Sequence, residues 1–87
     1  MTKIEEKIEV PFVFLKLKDG YHGFVPGIVK RDVIDDDYNR CVAKLEINME
    51  SEIEKMKKGI LEIPFFPTDE QIYRDFDDVH AIIRKKM

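Results

Sequence analysis

The sequence predicts an α+β domain in which a small antiparallel sheet is covered on one face by one long helix. Three observations carry that prediction. Val13, Leu15 and Leu17 alternate with Phe12, Phe14, Lys16 and Lys18, a period of two. Asp19-Gly20 and Pro26-Gly27 place two turn signals close together. From Ile34 to Met56, apolar residues recur at steps of three and four, ahead of a glycine.

The first strand lies within "VPFVFLKLKDG". Pro11 has no N–H to give a ladder, so the strand is expected to start there or to run along an edge. Asp19-Gly20 is read as a two-residue type I′ loop, which needs positive φ at both positions. That loop sets Lys18 opposite Tyr21, Lys16 opposite Gly23 and Phe14 opposite Val25, with Leu17 and Leu15 opposing His22 and Phe24. The second strand is then about 21–25, and "IVKR" after the Pro26-Gly27 corner is a short third strand.

A helix of roughly 25 residues follows, a length set by its cap and stop signals. Asp32 is the expected N-cap. Asp35, Asp36 and Asp37 fall in the first turns, where negative charge suits the helix dipole. Ile34, Tyr38, Cys41, Val42, Leu45, Met49, Ile53 and Met56 form the apolar stripe, and Lys55, Lys57 and Lys58 precede Gly59, a natural C′ residue. The stripe is expected to cover the Val13/Leu15/Leu17 face. "ILEIPFFPT" must be extended, because Pro64 and Pro67 exclude helix and central strand. Thr68 and Gln71 make a capping-box pattern. The tail can be read as one helix or as a helix over 69–75 and a strand over 79–85; the β-branched run "VHAIIRK" favours the second.

Composition bounds the function. The 87 residues, 44% hydrophobic and 38% charged, suit a single domain spanning 1–87. One thin core of that size gains from oligomerisation. A net charge of −3 argues against general attraction to nucleic acid or anionic membrane, makes direct DNA binding unexpected and favours a basic partner. The single cysteine, Cys41, excludes an internal disulfide and any multi-cysteine metal site, which points to a cytoplasmic protein. No apolar run approaches the roughly 20 residues that span a bilayer. The opening "MTKIEEKIEV" lacks the apolar region of a signal peptide.

Catalytic chemistry finds little support. His22 and His80 are the only histidines, and no His/Cys spacing accompanies them. Cys41 sits on the apolar stripe and reads as a buried small side chain. Successive helical residues diverge by about 100°, so Asp35–Asp37 do not converge on one cation. No cofactor, metal or enzymatic activity is therefore expected. With the helix on the Val13/Leu15/Leu17 face, Phe12, Phe14, Tyr21 and Val25 would occupy the opposite one. Such an aromatic set marks either an interface between copies or a seat for the C-terminal segment. Asp35, Asp36 and Asp37 would remain outward for a basic partner.

The runs "DGYHGFVPGI", "DVIDDDYNRCVAKL" and "ILEIPFFPT" resemble the HicB-like antitoxin family over roughly residues 8–68. Tyr21 and Phe24 match its aromatic second strand, Pro26-Gly27 its corner, Asp32, Ile34, Asp35 and Asp36 its helix start, Leu45 a leucine position, and Pro64 and Pro67 its proline-rich exit. Ile28 stands where a cysteine is common and Val33 where the threonine cap is usual. The resemblance implies a partial RNase-H-like β-β-β-α-β fold closed by a last strand. It also implies neutralisation of a small basic RNase toxin by protein–protein contact. Larger members carry a helix-turn-helix or ribbon-helix-helix domain for operator binding, for which this chain is too short. The alternative is an orphan self-assembling module of the same fold. An RNase-H-type enzyme would need convergent acids, and Asp19, in a turn, is not expected to meet Asp32.

Overall fold

The structure, a computed structural model, describes residues 7–87; the opening residues 1–6 of the sequence reading lie outside them. The elements are β1 (Glu9–Leu17), β2 (Gly20–Val25), β3 (Ile28–Asp35), α1 (Tyr38–Lys57), α2 (Asp69–Asp75) and β4 (Val79–Lys86). The strands form one antiparallel sheet in the order β3-β2-β1-β4, with α1 packed across it. The predicted class and the helix-then-strand tail are both present.

The hairpin differs from the expected one in register. Leu17 pairs with Gly20, Lys16 with Tyr21 and Phe14 with Gly23, so Lys18-Asp19 is the loop. Positive φ is found at Gly27, Lys30, Gly59 and Asp78 and not at Asp19 or Gly20, which excludes the type I′ turn. Gly20 is needed for a different reason. A Cβ there would stand 2.6 Å from the carbonyl oxygen of Asp35, where β3 hands over to the helix. The slip is two residues, so the side chains expected to share a face still share it.

Pro11 lies inside a central strand. Continuing the β1–β2 register past Val13↔Phe24 sets Pro11 against Pro26, neither of which has an N–H. The ladder on that side simply ends before the proline is reached. β3 runs on to Asp35, longer than expected, and Ile34 belongs to it. The helix N-cap is accordingly Asp37, not Asp32; its side chain accepts from Arg40 N at 2.8 Å. The helix has 20 residues, with Lys58 at the C-cap and Gly59 in the left-handed region at φ +76°. Thr68 and Gln71 close a reciprocal capping box on α2.

The largest correction concerns the faces of the sheet. The apolar stripe of α1, from Cys41 through Leu45, Met49 and Ile53 to Met56, covers Val10, Phe12, Phe14 and Val25, not Val13, Leu15 and Leu17. Phe12 and Phe14 are fully buried, Val25 nearly so, and Tyr21 is half-buried against the same core. These four residues are therefore the seat of the helix and not a bare interface. Both sets along β1 are apolar, and side-chain size decides between them. A phenylalanine removes more surface from water than a leucine, so the helix lies where two of them point. Gly23 makes the approach possible: a Cβ there would stand 2.8 Å from a ring carbon of Phe14 and 3.1 Å from Cys41 Sγ.

Candidate functional site

With α1 on the Phe12/Phe14 side, the opposite side of the sheet becomes the surface of interest. The pairings Ile34↔His22, His22↔Leu15 and Leu15↔Val79 lay one row of side chains across all four strands. Behind this row, α2 presses Ile72 onto Val13 and Phe24, and the ring of Phe76 meets that of Phe24 at 5.0 Å. The helix has only seven residues and covers only that part. Ile34 remains 71% exposed and Leu17, nearer the hairpin tip, 37%. In the middle of the row, His22 Nε2 bonds Asp32 Oδ2 at 2.8 Å and the ring leans on Phe24 at 5.2 Å. The result is an open apolar strip with a histidine–aspartate pair at its centre.

The acidic corner expected to face a partner is largely engaged within the chain. Asp35 is buried. Its carboxylate accepts from Lys44 Nζ at 2.7 Å, Arg40 Nε at 3.1 Å and the Asp37 N–H at 2.9 Å. These donors, Arg40 foremost, hold it far below the usual carboxylate range. Asp36 pairs with Arg40 and Asp37 caps the helix, although both side chains remain exposed. Three acids beside two cations present little net charge, so Asp35 in particular is a structural anchor for the β3–α1 corner.

On the helix side, the rings of Tyr21, Tyr38 and His80 close one end of the core. The Tyr21–His80 and Tyr38–His80 centroids are 4.9 Å apart and the Tyr21–Tyr38 centroids 5.4 Å. The Lys16 ammonium lies 4.6 Å from the Tyr21 ring. Burial pushes the Tyr38 phenol upward. His80 reaches this cluster because a bulge at Phe14/Leu15 leaves it without a partner on β1. The two histidines thus stand on opposite faces of the sheet and cannot act as a pair. Cys41, likewise on the helix side, is fully buried; burial raises its thiol, and its sulfur reaches only the Val33 and Tyr21 carbonyls, at 3.6 and 3.9 Å. It cannot serve as a nucleophile for His22–Asp32. Among the described residues, no group of three His, Cys, Asp or Glu side chains is placed to hold a metal ion, and no helix is long and apolar enough to cross a membrane.

Sequence reasoning missed the Ile34–His22–Leu15–Val79 row because it placed Ile34 on the helix and the Leu15 face beneath it. The available signal was the β-branched pair Val33 and Ile34 in "IVKRDVID", which extends strand propensity past "IVKR". Comparison of the chain with protein-family models, curated proteins and solved structures finds no match.

Proposed function

We propose that the protein is a non-enzymatic protein-binding module of the cytoplasm, and that it acts as a HicB-like antitoxin, occluding a small basic RNase toxin by direct contact. The observation that carries the binding reading is the open strip on the sheet, where Ile34 and Leu17 stand exposed beside the Asp32–His22 pair. An apolar strip with an acidic flank on a chain of net charge −3 fits a basic partner with an apolar centre. The order of strands and helix agrees with the partial RNase-H-like fold that the resemblance implies. The contact surface is thus reassigned from Phe12, Phe14, Tyr21 and Val25 to the side facing away from α1.

The test is a search for a small basic protein encoded beside this one and co-expression with it; the absence of any such neighbour would favour the second reading below. Growth arrest by that protein should be relieved by the wild-type chain, and purified chain should stop its RNA cleavage at equimolar ratio. Ile34→Glu should fold normally and lose both effects. A neighbouring RNase that the wild-type chain leaves fully active would overturn the antitoxin reading. The second reading, a self-assembling module without a toxin, is favoured by β4, which ends the sheet with no strand beyond it among the described residues.

A further inference from the structure

The two helices are held to the sheet very differently. α1 docks through five buried side chains, Cys41, Leu45, Met49, Ile53 and Met56. α2 docks through one. Ile72 is fully buried, while Asp69, Glu70, Tyr73, Arg74 and Asp75 are exposed. Helices shorter than about 12–15 residues are marginal by themselves in water. The seven residues of α2 therefore stay helical through Ile72, the Phe76 ring against Phe24 and the capping box at Thr68. The Arg84–Asp69 ion pair adds little, because solvent reaches both side chains.

The backbone on either side of α2 is fixed by other groups. Before the helix, the Pro67 carbonyl accepts from Arg84 Nη2 at 2.9 Å. After it, the Asp78 carbonyl accepts from the Lys16 N–H at 2.8 Å, and Asp78 takes a left-handed φ of +58° directly before β4. Neither bond is made by α2. Residues 68–77 thus form a short strap between two anchors, with Ile72 as its one fully buried side chain.

What the strap covers belongs to the open side of the sheet. Val13 is fully buried and Phe24 nearly so, and the two are paired in the row next to Leu15 and His22. With α2 lifted, Val13 and Phe24 would join Leu15, His22 and Ile34 in one continuous apolar face.

We propose that α2 is a lid. It lifts as a unit between Pro67 and Asp78 while α1 and the sheet stay in place, and it uncovers Val13 and Phe24. Few apolar contacts hold it, so this opening costs less than unfolding the chain. The motion belongs to the free chain. That the enlarged face receives a partner rests on the binding reading above; the test of the lid uses no partner, so the two fail separately.

Thiol labelling of the full chain under native conditions is that test. Cys41 lies fully buried beneath α1 and serves as the internal reference. In Val13→Cys, the introduced thiol should react with N-ethylmaleimide at least about tenfold faster than Cys41, since it waits on the lid and Cys41 on the main core. Adding Thr68→Ala removes the cap of α2 at an exposed position. It should speed the first reaction about fivefold and leave the second unchanged. On the unsubstituted chain, amide exchange gives the same comparison. The Ile72 and Phe76 N–H groups, bonded to the Thr68 and Ile72 carbonyls, should exchange at least about tenfold faster than those of Leu45 and Met49 after correction for intrinsic rates. Equal rates at the two thiols, or a Thr68→Ala response shared by both, would mean that α2 opens only with the whole fold and overturns the proposal. A thiol at position 13 that is indifferent to Thr68→Ala overturns it too, because that site would then be reached without the lid moving. Equal protection of the α2 and α1 amides does the same, and decides the matter should Val13→Cys fail to fold.

Discussion

The two faces of the sheet are made of similar residues and end in different states. On one side Val10, Phe12 and Phe14 vanish beneath a helix of 20 residues; on the other Val13 is covered by a helix of seven, Leu15 is half-buried and Leu17 is exposed. Alternation along β1 says that two faces exist but not which is the core. The difference is set by what can be brought against each. The helix side offers two phenylalanine rings and, across from Phe14, a glycine that lets α1 come close. The other side offers leucines, a histidine and an exposed isoleucine. The chain buries the first face fully and leaves part of the second in solvent.

The comparison breaks most visibly at Phe14. Phe14→Ala should cost about 3–5 kcal/mol, the range for truncating a fully buried aromatic residue, measured as a drop in the denaturation midpoint at unchanged slope. Leu45→Ala, from the helix that faces it, should fall in the range of about 2–5 kcal/mol. A loss below half a unit at either position would mean that α1 does not pack on the Phe12/Phe14 side.

Much of the fold was legible in the sequence, and the part that was not has a physical reason. The period-two and period-3.6 stretches, the capping box at Thr68 and the β-branched tail located every element. The face grouping survived a wrong turn assignment, because a two-residue slip preserves parity. What failed was the choice between two apolar faces, which depends on packing volume across the sheet, and the N-cap, which depends on Asp35 folding back to Arg40 and Lys44. The open strip was unreadable for the same reason: it requires the β2–β3 register that puts Ile34 beside His22.

Gly23 tests why the helix chose its side. Gly23→Ala places a methyl 2.8 Å from the Phe14 ring and 3.1 Å from Cys41 Sγ. The overpacking should cost about 1–3 kcal/mol. Trimming the ring neighbour in the same chain, as Gly23→Ala with Phe14→Leu, should recover part of that loss, giving a non-additive double-mutant cycle. Strict additivity would show that Gly23 is not what admits the helix.

A smaller effect is expected at the β3–α1 corner, where solvent reaches Arg40 and Lys44 and screens their pairing with Asp35. The Asp35 carboxyl is held below its unfolded value by those donors. Its contribution is therefore complete at neutral pH, fades as pH falls through the unfolded carboxylate range near about 4, and is lost as pH passes through the lower folded value. Asp35→Asn should be less stable than wild type at neutral pH, and the gap should narrow in acid. Parallel stability–pH curves would show that this ion cluster contributes nothing to folding.

The smallest effect belongs to the open face, and its smallness is informative. Leu17 and Ile34 keep much of their surface in water in the folded chain, so truncating them removes little burial. Leu17→Ser and Ile34→Ser should each change stability by no more than about 0.5 kcal/mol, as surface substitutions do. If the strip is a binding surface, the same variants should lower partner affinity by far more than they lower stability, because an apolar contact that is solvated in the free chain is desolvated only in the complex. A loss of several kcal/mol from Ile34→Ser in the chain alone would mean that Ile34 is already covered, and would remove the strip as the proposed binding surface.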